Sequence, residues 1–172
     1  MLTATYSLVA MATEQTTAYD FLARIRQAVA AVWANIHTIE LERVHVALLG
    51  LRRFEHYCHQ RKVERFVIPA VRGSCREIDA IVGELDHLSG VGMQLLGTAA
   101  AELGWTLEQR ASHLTQLCQA MESYCECLEK RLRREEEALL PIVRRMFSVD
   151  DWFSLAAQFL GDEKACPVDA VS

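Results

Sequence analysis

The sequence predicts an all-α fold, an up-down-up-down four-helix bundle closed by a short fifth helix, on three observations. Breakers are sparse, with 8 Gly and 3 Pro in 172 residues, too few for a turn-rich β architecture. Apolar residues recur at steps of three and four over long stretches. Capping signals divide those stretches, each a Ser or Thr with an acidic side chain or Gln three residues later. The length suits one domain of about 150 residues with short ends. The expected boundaries are an N-terminal extension over 1–16, the bundle over 17–160 and a flexible tail over 161–172.

Thr17 with Asp20 opens the first helix, which runs to about Asn35 on an apolar face of Tyr19, Leu22, Ala23, Val29, Ala30 and Trp33. The chain breaks between Asn35 and Thr38, and the second helix extends from about Ile39 to Val71. Gly73 stops it, and Ser74 with Glu77 opens the third. The third helix carries Ile78, Ile81, Val82, Leu85, Leu88, Leu95 and Ala99 at helical spacing and ends at Gly104. Thr106 and Gln109 cap the fourth, from about Leu107 to Met146, and Ser148 with Asp151 caps the short fifth, through about Leu160. Short connections make successive helices antiparallel, which buries four stripes together.

Composition excludes several functions. Asp and Glu outnumber Lys and Arg by 23 to 18, a net charge of −5, which argues against a duplex-coating or polybasic membrane protein. No run of about 18 apolar residues is present, and Met1 to Thr17 has no Lys or Arg ahead of its short apolar part, so a cytoplasmic protein is expected. The six cysteines read as reduced thiols. Cys125 and Cys127 point about 200° apart on a helix, a poor metal clamp. With no Gly-rich phosphate loop, nucleophile motif or CxxC pair, an enzyme is not expected.

An internal repeat singles out one level of the chain. His59 to Arg72 (HQRKVERFVIPAVR) aligns with Arg131 to Arg144 (RLRREEEALLPIVR) at an offset of 72 residues, matching Arg61/Arg133, Glu64/Glu136, Pro69/Pro141, Val71/Val143 and Arg72/Arg144. The i, i+4 spacing puts His59 with Val63 on one face, and Arg131 with Glu135 on another. The latter face is the core stripe of the fourth helix, Leu114, Leu117, Met121, Tyr124, Leu128, Arg131, Glu135 and Ala138, so two charges interrupt an apolar run. Arg26 stands in the same way among Leu22, Ala23, Val29 and Ala30. Charges are rarely buried unpaired, so Arg26, Arg131 and Glu135 are expected to share one burial site.

HQRKVERFVIPAV, ELDHLSGVGMQLL and RLRREEEALLPIVRRMFSVDDW together resemble the hemerythrin-like family, the HHE cation-binding domains, over about Tyr19 to Phe159. The resemblance implies a four-helix bundle around a non-haem diiron centre that binds oxygen or nitric oxide or serves iron and redox chemistry. The family places a His on the first helix, His-x-x-x-Glu on the second, a His on the third and His-x-x-x-Glu on the fourth. By that pattern His59, His87 and Glu135 match, while Arg26, Val63 and Arg131 stand where the family has His, Glu and His.

Two readings follow. In the first, guanidinium groups replace the metals, no cofactor is bound, and the chain is a binding or sensor protein for an unknown protein partner or small ligand, as a monomer or homodimer. In the second, His59, His87 and Glu135 form a two-His, one-carboxylate iron site with open positions or belong to a remodelled diiron site, and the protein binds oxygen or nitric oxide or takes part in an iron or redox stress response. Charge separates them: a divalent ion with Arg26 and Arg131 against Glu135 leaves a large uncompensated positive charge, which is costly at low dielectric. Without the metal Glu135 can accept charge-assisted bonds from the arginines. Glu64, about 140° from His59 around the helix, is expected to miss that face, whereas Glu55 at i−4 can approach it. His37 is an alternative ligand if the first helix runs further, His56 is a second donor beside His59, and His45 and His113 are read as surface or partly buried polar residues.

Overall fold

A computed structural model describes residues 2–35, 41–106 and 110–165 and is all-α, with no strand among them. The helices are α1 (Leu2–Ala34), α2 (Leu41–Gln60), α3 (Ile68–Val71), α4 (Arg76–Thr106), α5 (Arg110–Arg134), α6 (Leu140–Met146) and α7 (Val149–Ala165). Two π-helical turns join the shorter pieces, Val63–Val67 before α3 and Glu135–Leu139 before α6. The expected break between the first two helices, the Thr106/Gln109 cap and the tail over 161–172 lie partly outside the described residues, and His37 and Cys166 lie wholly outside them. No helix among the described residues is long and apolar enough to cross a membrane.

Three boundaries differ from the sequence reading. The first helix begins at Leu2, not Thr17, so residues 2–16 form its first turns. No Gly or Pro interrupts that stretch, and the Thr13, Thr16 and Thr17 hydroxyls donate back to the carbonyls of Val9, Ala12 and Thr13 instead of capping. Met11 and Gln15 are buried there. The second and fourth helices are each broken once, by a π turn ahead of Pro69 and Pro141. At the other end α7 continues past Gly161 to Ala165.

The π turns explain the repeat. Proline lacks an N–H and cannot donate to the carbonyl four residues back. The chain accommodates this with a wider turn, the N–H of Ile68 donating to the Val63 carbonyl and that of Leu140 to the Glu135 carbonyl. Gly73, at φ 79°, ends α3 in the left-handed conformation that glycine adopts without cost to a Cβ. Its N–H donates to Asp79 Oδ1, and the Ser74 hydroxyl donates to the Val71 carbonyl, so the Ser74/Glu77 box does not open α4. Ser148 and Asp151 do form a reciprocal capping box at the start of α7.

α1 packs against α2, α5 and α7, and α4 packs against α5 and α2. Burial divides into two apolar cores. One gathers Leu22, Ile25 and Val29 of α1, Leu51 and Phe54 of α2, and Leu117, Met121 and Leu128 of α5. The other gathers Met11, Val63, Val67, Ile78, Leu85, Leu139 and Phe159. Between them lies a layer of buried polar side chains.

Candidate functional site

The buried polar layer is set by the core rhythm of three helices. On α2 the buried positions run Val44, Ala47, Leu51, Phe54 and Cys58, and the next step is Arg61, which is only 1% exposed. On α1 the sequence is Met11, Gln15, Ala18, Leu22 and Ile25, with Gln15 buried in step. On α5 the predicted stripe from Leu114 through Leu128 is buried and continues to Arg131, 6% exposed, and Glu135, 0% exposed. Each polar side chain is therefore carried inward by its apolar neighbours one turn away.

Glu135 is the centre of the layer. Arg61 Nη2 donates to its Oε2 at 2.7 Å and Arg131 Nε donates to its Oε1 at 3.2 Å, so each carboxylate oxygen meets a different guanidinium. Arg131 also donates to Glu64, and Arg61 to the Gln15 amide oxygen. Gln15 Nε2 donates in turn to the Leu132 carbonyl at 2.8 Å, tying α1 to α5. Two guanidiniums face two carboxylates, so the layer carries no net charge. That balance, with hydrogen bonds on most polar atoms, offsets the cost of burying ions. The Arg61 Nε is the exception among its groups, buried with no hydrogen-bond partner. Burial is the largest single influence on Arg61 and lowers it, but the Coulombic attraction of Glu135 and the hydrogen bond that Arg61 donates to it together outweigh burial and hold the guanidinium above the ordinary range, so it stays charged.

A second polar chain leads from the core to the surface. The buried Tyr124 hydroxyl donates to Glu55, whose other oxygen lies 3.0 Å from His59 Nε2. Burial, more than the Glu55 carboxylate, pushes the Tyr124 phenol far up, so it remains a donor. Burial also raises the Cys58 thiol to about 12, against the lowering influence of Arg61.

The residues singled out in the sequence fall into different places. Arg131 and Glu135 are together in the layer, as their stripe requires. Arg26 is not there: it is 48% exposed and donates to Glu129. The buried face of α1 is Ala18, Leu22, Ile25, Val29 and Val32, so Arg26 stands one residue, about 100°, off it. Ala23 and Ala30, which the sequence reading put on the core face, are exposed with it. His59 is 50% exposed, beside Glu55. His87 is exposed, two residues from the buried Leu85 and therefore on the opposite side of α4, where Gly83 and Gly90 open onto solvent. Val63 is buried in the apolar core. His45 and His56 are exposed, and His113 pairs with Glu102 at 2.7 Å.

Arg61, Gln15 and Glu64 are the members that the sequence reading missed. Arg61 and Gln15 are visible by the rule that finds Arg131, a polar residue falling on the apolar step of its helix. Glu64 reaches Arg131 from the first π turn, a position that spacing on an uninterrupted α-helix does not give.

The set does not fit a resident metal. Among the described residues no three His, Cys, Asp or Glu side chains are grouped so that they could hold an ion, so His59, His87 and Glu135 are not brought together. Both Glu135 oxygens are already taken by guanidinium donors, and a cation there would have to displace them. No family model, curated protein or solved structure matches the chain.

Proposed function

We propose that the chain is a hemerythrin-like up-down-up-down bundle of α1, α2 with α3, α4, and α5 with α6, with α7 as its short fifth helix. In it a neutral guanidinium–carboxylate layer stands where that family binds its metals, and the protein acts as a non-enzymatic binding or sensor module. Cross-helix pairs support the topology. Phe21–Phe54 and Glu14–Tyr57 run in opposite order along α1 and α2, as do Glu84–Arg134 and Glu102–His113 along α4 and α5.

The observation that carries the functional reading is Glu135, fully buried with a guanidinium on each oxygen. Each oxygen of a carboxylate held this way already accepts from a guanidinium, and the two arginines repel a divalent ion. The test is elemental mass spectrometry on tag-free protein after anaerobic reconstitution with ferrous iron. The expected iron content is near zero, with an unchanged melting temperature. About one iron per chain, lost in His59→Ala or His87→Ala, would overturn the reading.

A further inference from the structure

An apolar groove runs along the outside of α1 and α2, away from the polar layer and independent of what that layer binds. Ala28, Ala31 and Val32 of α1 and Val46 and Ala47 of α2 form its floor, enclosing about 440 Å³. Val46 is 60% exposed there. Most of these side chains are small, which lets a further helix approach the two backbones closely.

Exposed arginines flank the groove. Arg43 lines one end, with Glu42 the single carboxylate in the lining. Arg24 precedes Ala28 and Ala31 by one and two turns on the same face of α1, and Arg53 follows Val46 by two turns on α2. Gly50 lies opposite Ile25, which brings Arg24 and Arg53 to the same end of the groove. Arg24, Arg43 and Arg53 are exposed and, like Arg52, Arg76, Arg144 and Arg145, have no ion pair among the described residues. In a chain of net charge −5, three exposed arginines flanking an apolar floor form a local complement to an acidic, amphipathic surface.

We infer that the α1/α2 groove docks an acidic amphipathic helix of a partner protein, its apolar face on the alanine and valine floor and its carboxylates on Arg24 and Arg53 at one end and Arg43 at the other. Arg43 and Arg53 are ten residues apart on α2, about 15 Å or three turns, so the partner presents carboxylates about three turns apart along one edge. The exposed Val46 at the centre favours such a helix over a phosphate backbone, which has no apolar face to place there.

The test is fluorescence anisotropy with the full chain. The probe is a labelled, amide-capped peptide of about 20 residues, Leu at i, i+3, i+4 and i+7 on one face and Glu and Ala elsewhere. Saturable binding is expected, weakened about tenfold in Arg24→Glu/Arg53→Glu and lost in Ala31→Gln, which fills the floor. Both variants change exposed residues, and circular dichroism checks that they fold. The same peptide with Lys for Glu is expected not to bind. Four results would overturn the inference: no saturable binding of the acidic peptide, equal binding of the Lys peptide, insensitivity to the charge reversal, or tighter capture of duplex RNA or phosphatidylserine vesicles through the same arginines. Concentration-dependent dimerisation abolished by Ala31→Gln would also overturn it, by assigning the groove to a second copy.

Discussion

Replacing Glu135 with Gln removes the charge that Arg61 and Arg131 share, and the structure sets the size of the effect. Arg131 keeps Glu64, but Arg61, 1% exposed, keeps only the neutral Gln15 amide. One guanidinium is then buried without a counter-charge, and breaking such a pair costs about 3–5 kcal/mol. For a chain of this length about 1 kcal/mol moves the melting temperature by about 2–4 °C, so a fall of about 10 °C is expected. Arg61→Leu exposes the reverse defect, leaving a buried carboxylate with one of its two partners. Arg61→Leu/Glu135→Gln removes both charges together. Its loss should fall short of the sum of the single variants by about 2 kcal/mol or more, because each single variant includes the penalty of the partner left behind. Urea denaturation of the four proteins, with the denaturant slope checked for constancy, closes the cycle. Losses below about 1 kcal/mol for both single variants, additive within about 0.5 kcal/mol, would refute the claim that Glu135 neutralises Arg61.

Three further outcomes follow from the backbone and the thiols. Gly73→Ala, at φ 79°, is expected to destabilise by about 1–2 kcal/mol. Gly83→Ala, in the helical interior of α4 where an added methyl group meets only open space, should stabilise by up to about 1 kcal/mol; chemical denaturation of the pair tests both signs. In the α7 capping box, hydrogen bonds from the Ser148 hydroxyl and then its backbone N–H hold Asp151 below its ordinary value of 3.8. Its stabilisation is therefore present above that value and lost as pH falls through the lower folded one; an acid titration of helicity should show this step in the native chain and not in Asp151→Asn. Burial raises Cys58 and Cys125 to about 12 and Cys118 to about 11, so iodoacetamide at pH 8 should label the half-buried Cys75 well before any of these three, as peptide mass mapping will show.

The α5 stripe is legible in the sequence because its period is unbroken: every step from Leu114 to Leu128 is apolar, and Arg131 and Glu135 stand out against it. The same counting on α2 leads from Phe54 and Cys58 to Arg61, but the adjacent His59 competes for attention, since the ligand pattern favours it and the helix turns it outward. For Arg26 the difficulty is phase. Ala23 and Ala30 are apolar yet exposed, and small residues are weak markers of which side of a helix is buried: each stands two residues, about 160° the short way round the helix, from Ile25 or Val32, and a face drawn to include them takes in Arg26. The start of α1 is hidden for a related reason: Thr17 followed by Asp20 has the letters of a cap, but a threonine inside a helix satisfies its hydroxyl on the preceding turn, as Thr17 does on Thr13. The π turns leave their trace in the two prolines and the repeat, but the change from a four-residue to a five-residue hydrogen bond is a tertiary compromise with no letter of its own.

Each π turn amounts to one residue lodged in a helix that would otherwise close, and the two lie at matching places in the two copies of the repeat. Their phase shifts therefore cancel. Everything after Val67 in one arm and after Leu139 in the other is rotated by the same amount, and Val71 and Val143 still arrive buried in the same core. Deleting one residue from a single turn would throw the lower halves of the two arms out of step by about 100°, whereas deleting one from each would keep them synchronised while drawing the polar layer tighter. The two turns thus hold residues 72 positions apart in the same rotational phase.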